Sequence, residues 1–177
     1  EVGTFGVFTD NTPTNNKLEA GESSDIYVWN QNTVSDGTIS PIEGDSVISW
    51  NYTGSNEWFG GGIQTRQVRD LSNFSESGEL SFKIKIPANV SFKVGIADTY
   101  TNENWVEFPA NTTTYGLVRD GDWATATIPA ADISGDLVAL QSLEGMFYIA
   151  SVDSQLPAGP FEMAIDDIIW TGGDEVI

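Results

Sequence analysis

Apolar residues recur at every second position through most of the chain, in short runs set apart by clusters of Gly, Asn, Asp, Ser and Pro. A period of two marks half-buried strands. The runs predicted as strands are GTFGVFT, DIYVWN, SVISWNY, EWFGGGIQT, ELSFKIKIP, SFKVGIAD, NWVEFP, TYGLVRD, WATATIP, MFYIAS and FEMAIDDIIW, eleven in all. Only Pro129 to Leu143 suggests helix, and Gly135 divides it into two short turns. Many short strands with turn signals between them predict an all-β fold, an antiparallel β-sandwich, as one domain over residues 1–171 with a tail at 172–177.

The same alternation assigns faces. In LSFKIKI, Leu80, Phe82, Ile84 and Ile86 go to the core and Ser81, Lys83 and Lys85 go outward. Phe92, Val94 and Ile96 go in, which leaves Lys93, Gly95 and Ala97 outside; in the next strand Val106 and Phe108 go in and Trp105 and Glu107 go out. In WFGGGIQTR, Phe59 and Ile63 face inward and Trp58, Gly60, Gly62, Gln64 and Arg66 outward. Two outward tryptophans therefore stand beside bare backbone. Glycine inside a strand marks close approach of a ligand or another backbone, so the expectation is an aromatic wall beside an empty floor.

The run FEMAIDDIIW raises a separate question. In a regular strand one of Asp166 and Asp167 faces solvent and the other points inward among apolar neighbours. A buried carboxylate is costly unless a cation or several donors meet it, and no lysine or arginine lies within twenty residues on either side.

Composition narrows the chemistry. Twenty-six acidic against seven basic residues give a net charge of -19, which argues against nucleic acid and anionic membrane surfaces as partners. Such a charge suits a salty, marine habitat, where ions screen the self-repulsion. The chain has no cysteine and no histidine, so disulfides, thiol chemistry and the usual general base and zinc ligand are all absent. It shows no signal-peptide pattern and no initiator methionine at its start, and reads as a piece of something longer.

Tryptophans on a wall with amide, guanidinium and carboxylate groups below them suit a sugar chain, whose C–H faces stack on indole and whose hydroxyls pair with planar polar groups. The candidate ligand-binding residues are Trp58, Gln64, Arg66, Trp105 and Glu107, joined by Lys93 on the same face and by Trp29, whose side the pattern leaves open. The plain alternative is that strand aromatics only stabilise cross-strand pairs. Trp50 and Trp170 are expected in the core, and Trp123 as a lid over it. Asp98, Glu103 and Glu107 lie near the proposed groove, yet a small all-β module rarely carries a catalytic cleft, so no catalytic residue and no enzyme activity is expected. Glu43 and Asp45, in Ile42-Glu43-Gly44-Asp45-Ser46, together with Asp166 form an oxygen-only set that selects calcium, with Asp10 a further donor. The alternative is that Asp166 only accepts backbone N–H bonds at a turn. Asp120-Gly121-Asp122 reads as a tight hairpin turn.

The segments GVFTDNTP, IYVWN, IEGDSVISW, GGGIQT, LSFKIKIP, TYGLVRDGDW, TIPAADI and AIDDIIW together resemble the galactose-binding-like jelly-roll modules of marine bacterial β-glucan exohydrolases, laminarinases and agarases, from Gly3 to Trp170. The resemblance implies a non-catalytic carbohydrate-binding module that is secreted and monomeric, carries a structural calcium held by Asp166 and Glu43, and is joined to a glycoside hydrolase. It also implies a polysaccharide ligand, with laminarin or another neutral β-glucan first and an agar-type galactan second. The other class kept open is a structural domain that packs on its catalytic partner and binds no sugar.

Overall fold

Ten of the eleven alternating runs fold as strands. The structure is a computed structural model that describes residues 1–54 and 56–174. In chain order the elements are β1 (Gly3–Phe8), β2 (Asn16–Lys17), β3 (Ser24–Val28), β4 (Val34–Asp36), β5 (Ile48–Tyr52), β6 (Gly60–Arg69), β7 (Glu79–Lys85), β8 (Phe92–Asp98), β9 (Glu103–Phe108), β10 (Ala124–Pro129), a short helix α1 (Ala130–Ser134), β11 (Leu143–Ser151) and β12 (Phe161–Gly173). The helical stretch is two separate turns, α1 and a 3-10 turn at Leu140–Ser142, as Gly135 predicted. Both β2 and β4 are too short to carry a period and escaped the sequence pattern.

Two sheets face each other. One contains β10-β7-β12-β1-β2 in order, with β5 on the first half of β12 and β4 beyond it; the other is β3-β6-β11-β8-β9. Between them lies the core that alternation assigned. Phe82 meets Phe108 and Phe147 edge-on, Phe92 stacks on Phe108 at 4.7 Å, and Trp50 and Trp170 are buried.

Three expectations change. TYGLVRD is not a strand: Thr114–Gly116 forms a 3-10 turn with Tyr115 at φ 53°, and the segment that follows is tied down by Arg119. The tail begins later than residue 172, because β12 runs through Gly173 and Asp174 donates its N–H to Asn73; residues 175–177 lie outside the described ones. The third concerns the aspartate pair. Asp167 sits at φ 49°, and the pairing with β7 shifts between Asp166 and Ile169, so β12 carries a bulge there. The bulge breaks the two-residue period, and both aspartates are buried.

Candidate functional site

Pairing registers place one row of residues across all five strands of the second sheet: Tyr27, Gly62, Tyr148, Gly95 and Trp105. On one side of it runs Gly60, Ala150, Lys93 and Glu107, with Trp29 bonded by its N–H to the Gly60 carbonyl; on the other run Asp25, Gln64, Gly145, Ala97 and Glu103. Their odd-even neighbours Ile63, Val94, Ile149 and Val106 point into the core, so these rows form the outer face.

Three rings meet on that face. Trp105 and Tyr148 lie side by side, with centroids 6.0 Å apart and planes inclined by 34°. Trp29 stands nearly perpendicular to both, 5.0 Å from Tyr148 and 6.3 Å from Trp105. The result is an aromatic floor with one upright indole. The glycines are therefore not an empty floor, as the sequence suggested, but the bed on which rings lie: a Cβ on Gly95 would come within 2.7 Å of the Trp105 indole, and one on Gly60 within 2.8 Å of Trp29.

Polar groups fix the rings. Gln64 donates its side-chain N–H to the Tyr148 hydroxyl at 3.0 Å, and the Trp105 indole N–H donates to Glu103 at 3.1 Å. The Lys93 ammonium sits over the Trp105 ring, 4.5 Å from its centroid, a cation–π distance. Burial holds the Tyr148 hydroxyl above its usual pKa; the Gln64 hydrogen bond opposes that, and the charges of Glu144 and Glu103 add to it. Tyr148 is therefore a neutral donor and acceptor at ordinary pH.

The structure thus brings together Trp29, Gln64, Lys93, Trp105 and Glu107 on one face. It treats two other candidates differently. Arg66 spends its guanidinium on Asp25 and on the carbonyls of Gly21 and Glu22, where it pins the start of β3. Trp58 is exposed in the loop before β6, and among the described residues the ring contacts do not extend to it. Sequence reasoning missed Tyr27 and Tyr148. DIYVWN carried a signal for Tyr27, since it shares the parity of Asp25 and Trp29, but MFYIAS is buried throughout and its alternation is silent. A register shift on either side of Gly145 confuses parity there further.

Of the acidic residues expected to hold calcium, Asp166 lies on β12 beneath the 37–47 loop, and Glu43 and Asp45 belong to that loop. Asp166 accepts backbone N–H bonds from Ile42, Glu43 and Asp167, at 3.1, 3.0 and 2.7 Å. Glu43 accepts from Asp10 N–H and Asn11 N–H. Asp45 is exposed and gives its N–H to Asp10. The charge that sequence neighbours could not supply arrives across the sheet: Lys83 lies 3.3 Å from Asp167, and the single proton of the Thr9 hydroxyl lies between Asp167 and Glu43, with the oxygens 2.9 and 2.8 Å away. Among the described residues no three acidic side chains form a group that could hold a metal ion. Three backbone amides offset the Asp166 charge. Burial still pushes its carboxyl above the usual range; the Glu43 and Asp167 amides pull it back, and the nearby Glu43 charge adds to the rise.

Of the acids near the face, Asp98 is buried and accepts four N–H bonds, so it is a fixed structural group and not an exposed acid facing the groove.

The Carbohydrate binding domain 30 family model matches residues 4–172. A crystal structure of a family 30 carbohydrate binding module is similar at 20% identity and a TM-score of 0.65, with 97% of this chain and 99% of that one covered. The family 30 module of a cellulosomal cellulase of Clostridium thermocellum aligns at 19% identity and TM-score 0.62, covering 98% and 94%. The extra C-terminal domain of an exo-1,3/1,4-β-glucanase from a Pseudoalteromonas species aligns at 15% identity and TM-score 0.57, covering 97% and 95%. No curated protein matches the chain. With the family model spanning almost the whole sandwich, the chain belongs to the family 30 carbohydrate-binding modules and is a non-catalytic domain that binds carbohydrate.

Proposed function

We propose that the face built on Tyr27, Trp29, Tyr148 and Trp105 binds a neutral β-glucan chain and thereby holds an attached, secreted glycoside hydrolase on its polysaccharide. The supporting observation is the single row of rings and glycines that crosses five strands. Neighbouring strands are about 4.8 Å apart, so the row spans roughly 19 Å, long enough for several pyranose rings to lie on it. Rings stack on the C–H faces of sugars, while Gln64, Glu103, Glu107 and Lys93 border them with hydrogen-bonding groups. The field is negative overall, with Glu103, Glu107 and Glu144 on or beside the face and Arg66 already neutralised by Asp25, which favours a neutral glycan over a uronate chain. Tethering raises the local concentration of enzyme on a repeating substrate, so modest single-site affinity is sufficient.

Retardation in native gels containing laminarin, mixed-linkage β-glucan or agarose tests this. The module is expected to be slowed by a β-glucan, and Trp105→Ala to weaken retention about tenfold, or ~1.4 kcal/mol, with the melting temperature little changed. Mobility identical in every gel would support a purely structural domain, and retardation by agarose alone would favour the galactan.

Calcium at Glu43 and Asp166 is a separate part of the proposal, because a divalent ion would neutralise two like charges that lie close together. Added calcium is expected to raise the melting temperature and a chelator to return it. Indifference to both removes the ion from the account.

A further inference from the structure

Trp29, Tyr148 and Trp105 each rest on glycine, but the glycines are not equivalent. A Cβ on Gly62 would strike the Phe147 carbonyl oxygen as well as Tyr148, and one on Gly95 would come within 2.6 Å of the Asn104 carbonyl oxygen as well as Trp105. Those two glycines are required by the packing of the sheet itself. Gly60 and Gly145 differ. The atoms nearest a Cβ on Gly60 are Trp29 Cε3 at 2.8 Å, Ala150 Cβ at 3.3 Å and Trp29 Cζ3 at 3.3 Å; those nearest a Cβ on Gly145 are Cζ, Oη and Cε2 of Tyr148. Neither glycine has a φ in the left-handed region, so the backbone at both positions accepts any residue. Glycine in a strand interior costs stability relative to alanine. What it provides at these two places is room for a ring.

We infer that Gly60 and Gly145 are positioning residues of the glycan face, which set the height of Trp29 and Tyr148 against the sheet and act on the ligand only through those rings. A methyl at 145 lifts the phenol end of Tyr148, where Gln64 donates to the hydroxyl, and so tilts the ring out of line with Trp105. A methyl at 60 displaces the upright Trp29. Both changes leave every ring in place chemically and alter only the shape presented to the sugar. The inference rests on the reading of this face as the glycan site.

The test is a pair of double-mutant cycles on the intact module, with affinity for laminarin and for mixed-linkage β-glucan measured alongside the melting temperature. One cycle comprises Gly145→Ala, Tyr148→Leu and the double variant; the other comprises Gly60→Ala, Trp29→Leu and their double. Each glycine substitution alone is expected to weaken binding about tenfold. In each double variant the glycine change is expected to cost nothing beyond the loss of the ring, and any melting-temperature loss of the glycine single is expected to be recovered. Unchanged affinity in the glycine singles overturns the inference, as does a glycine cost that persists in full, in affinity or in folding, once the ring is gone. If Trp29→Leu and Tyr148→Leu themselves bind like the parent, the glycan-face reading falls together with it. If those two variants lose binding and the glycine variants do not, only the positioning role falls.

Discussion

Asp98→Ala is expected to remove roughly 3 to 5 kcal/mol of folding stability, read as a shift of the urea midpoint. Asp98 is buried at the end of β8 and accepts the N–H groups of Tyr100, Asn102 and Ala139, with the Asn102 side chain as a fourth donor. It ties together the β8–β9 turn, where Thr101 holds φ 69°, and the segment between α1 and β11. Alanine leaves those donors facing a void, and each unsatisfied buried donor costs about 1 to 3 kcal/mol. The pH dependence has a definite sign. Burial alone raises the Asp98 carboxyl, but the four hydrogen bonds outweigh it and the folded pKa lies below the ordinary value. The stability it contributes is therefore complete above the unfolded value of about 3.9 and is lost as pH falls through the folded one. Asp98→Asn should flatten the acid limb of the stability curve below about pH 4. An acid limb identical to the parent's would show that other carboxylates govern it.

Arg119→Met is the second large effect, expected to cost about 3 kcal/mol in the same measurement. The guanidinium donates to the carbonyls of Pro87, Val90, Phe108 and Pro109 and lies over the Phe92 ring, 5.2 Å from its centroid. Desolvation lowers its pKa, the cost of taking the cation partly out of water, which the four carbonyl acceptors offset. One planar fork holding four carbonyls ties the segment after the Thr114–Gly116 turn to the β7–β8 loop and to the end of β9. Arg119→Lys should recover only part of the loss, because an ammonium cannot reproduce the fork. Full recovery by lysine would mean that charge, not geometry, holds the segment.

The two residues also show why some elements were legible in the sequence and others were not. β7, β8 and β9 each have one face in the core and one outside, so a period of two named their buried residues and put Trp105 and Gly95 on the same outer face. β11 is buried on both faces for most of its length, which erased the period and hid Tyr148. TYGLVRD alternates like a strand, yet Arg119 finds its acceptors in a loop about thirty residues upstream and at the end of β9, and those long-range bonds hold the segment as a turn.

Asp166 and Asp167 mark the same boundary. The sequence required that a buried carboxylate be compensated and showed that no local residue could do it. Only the folded chain supplies the answer, through the amides of the 37–47 loop for one aspartate and Lys83 for the other.

Local alternation determined the β-sandwich, its core, and the outward placement of Trp105, Gly95, Gly62 and Gln64, because burial of apolar faces is read residue by residue along a strand. Tertiary structure alone decided that Tyr148 and Trp29 join Trp105, that glycines carry rings rather than clear a floor, and that Arg66 turns away to Asp25. Those outcomes depend on strand order and register, which bring together residues separated by up to 121 positions, as Tyr27 and Tyr148 are, and no local period records such a distance.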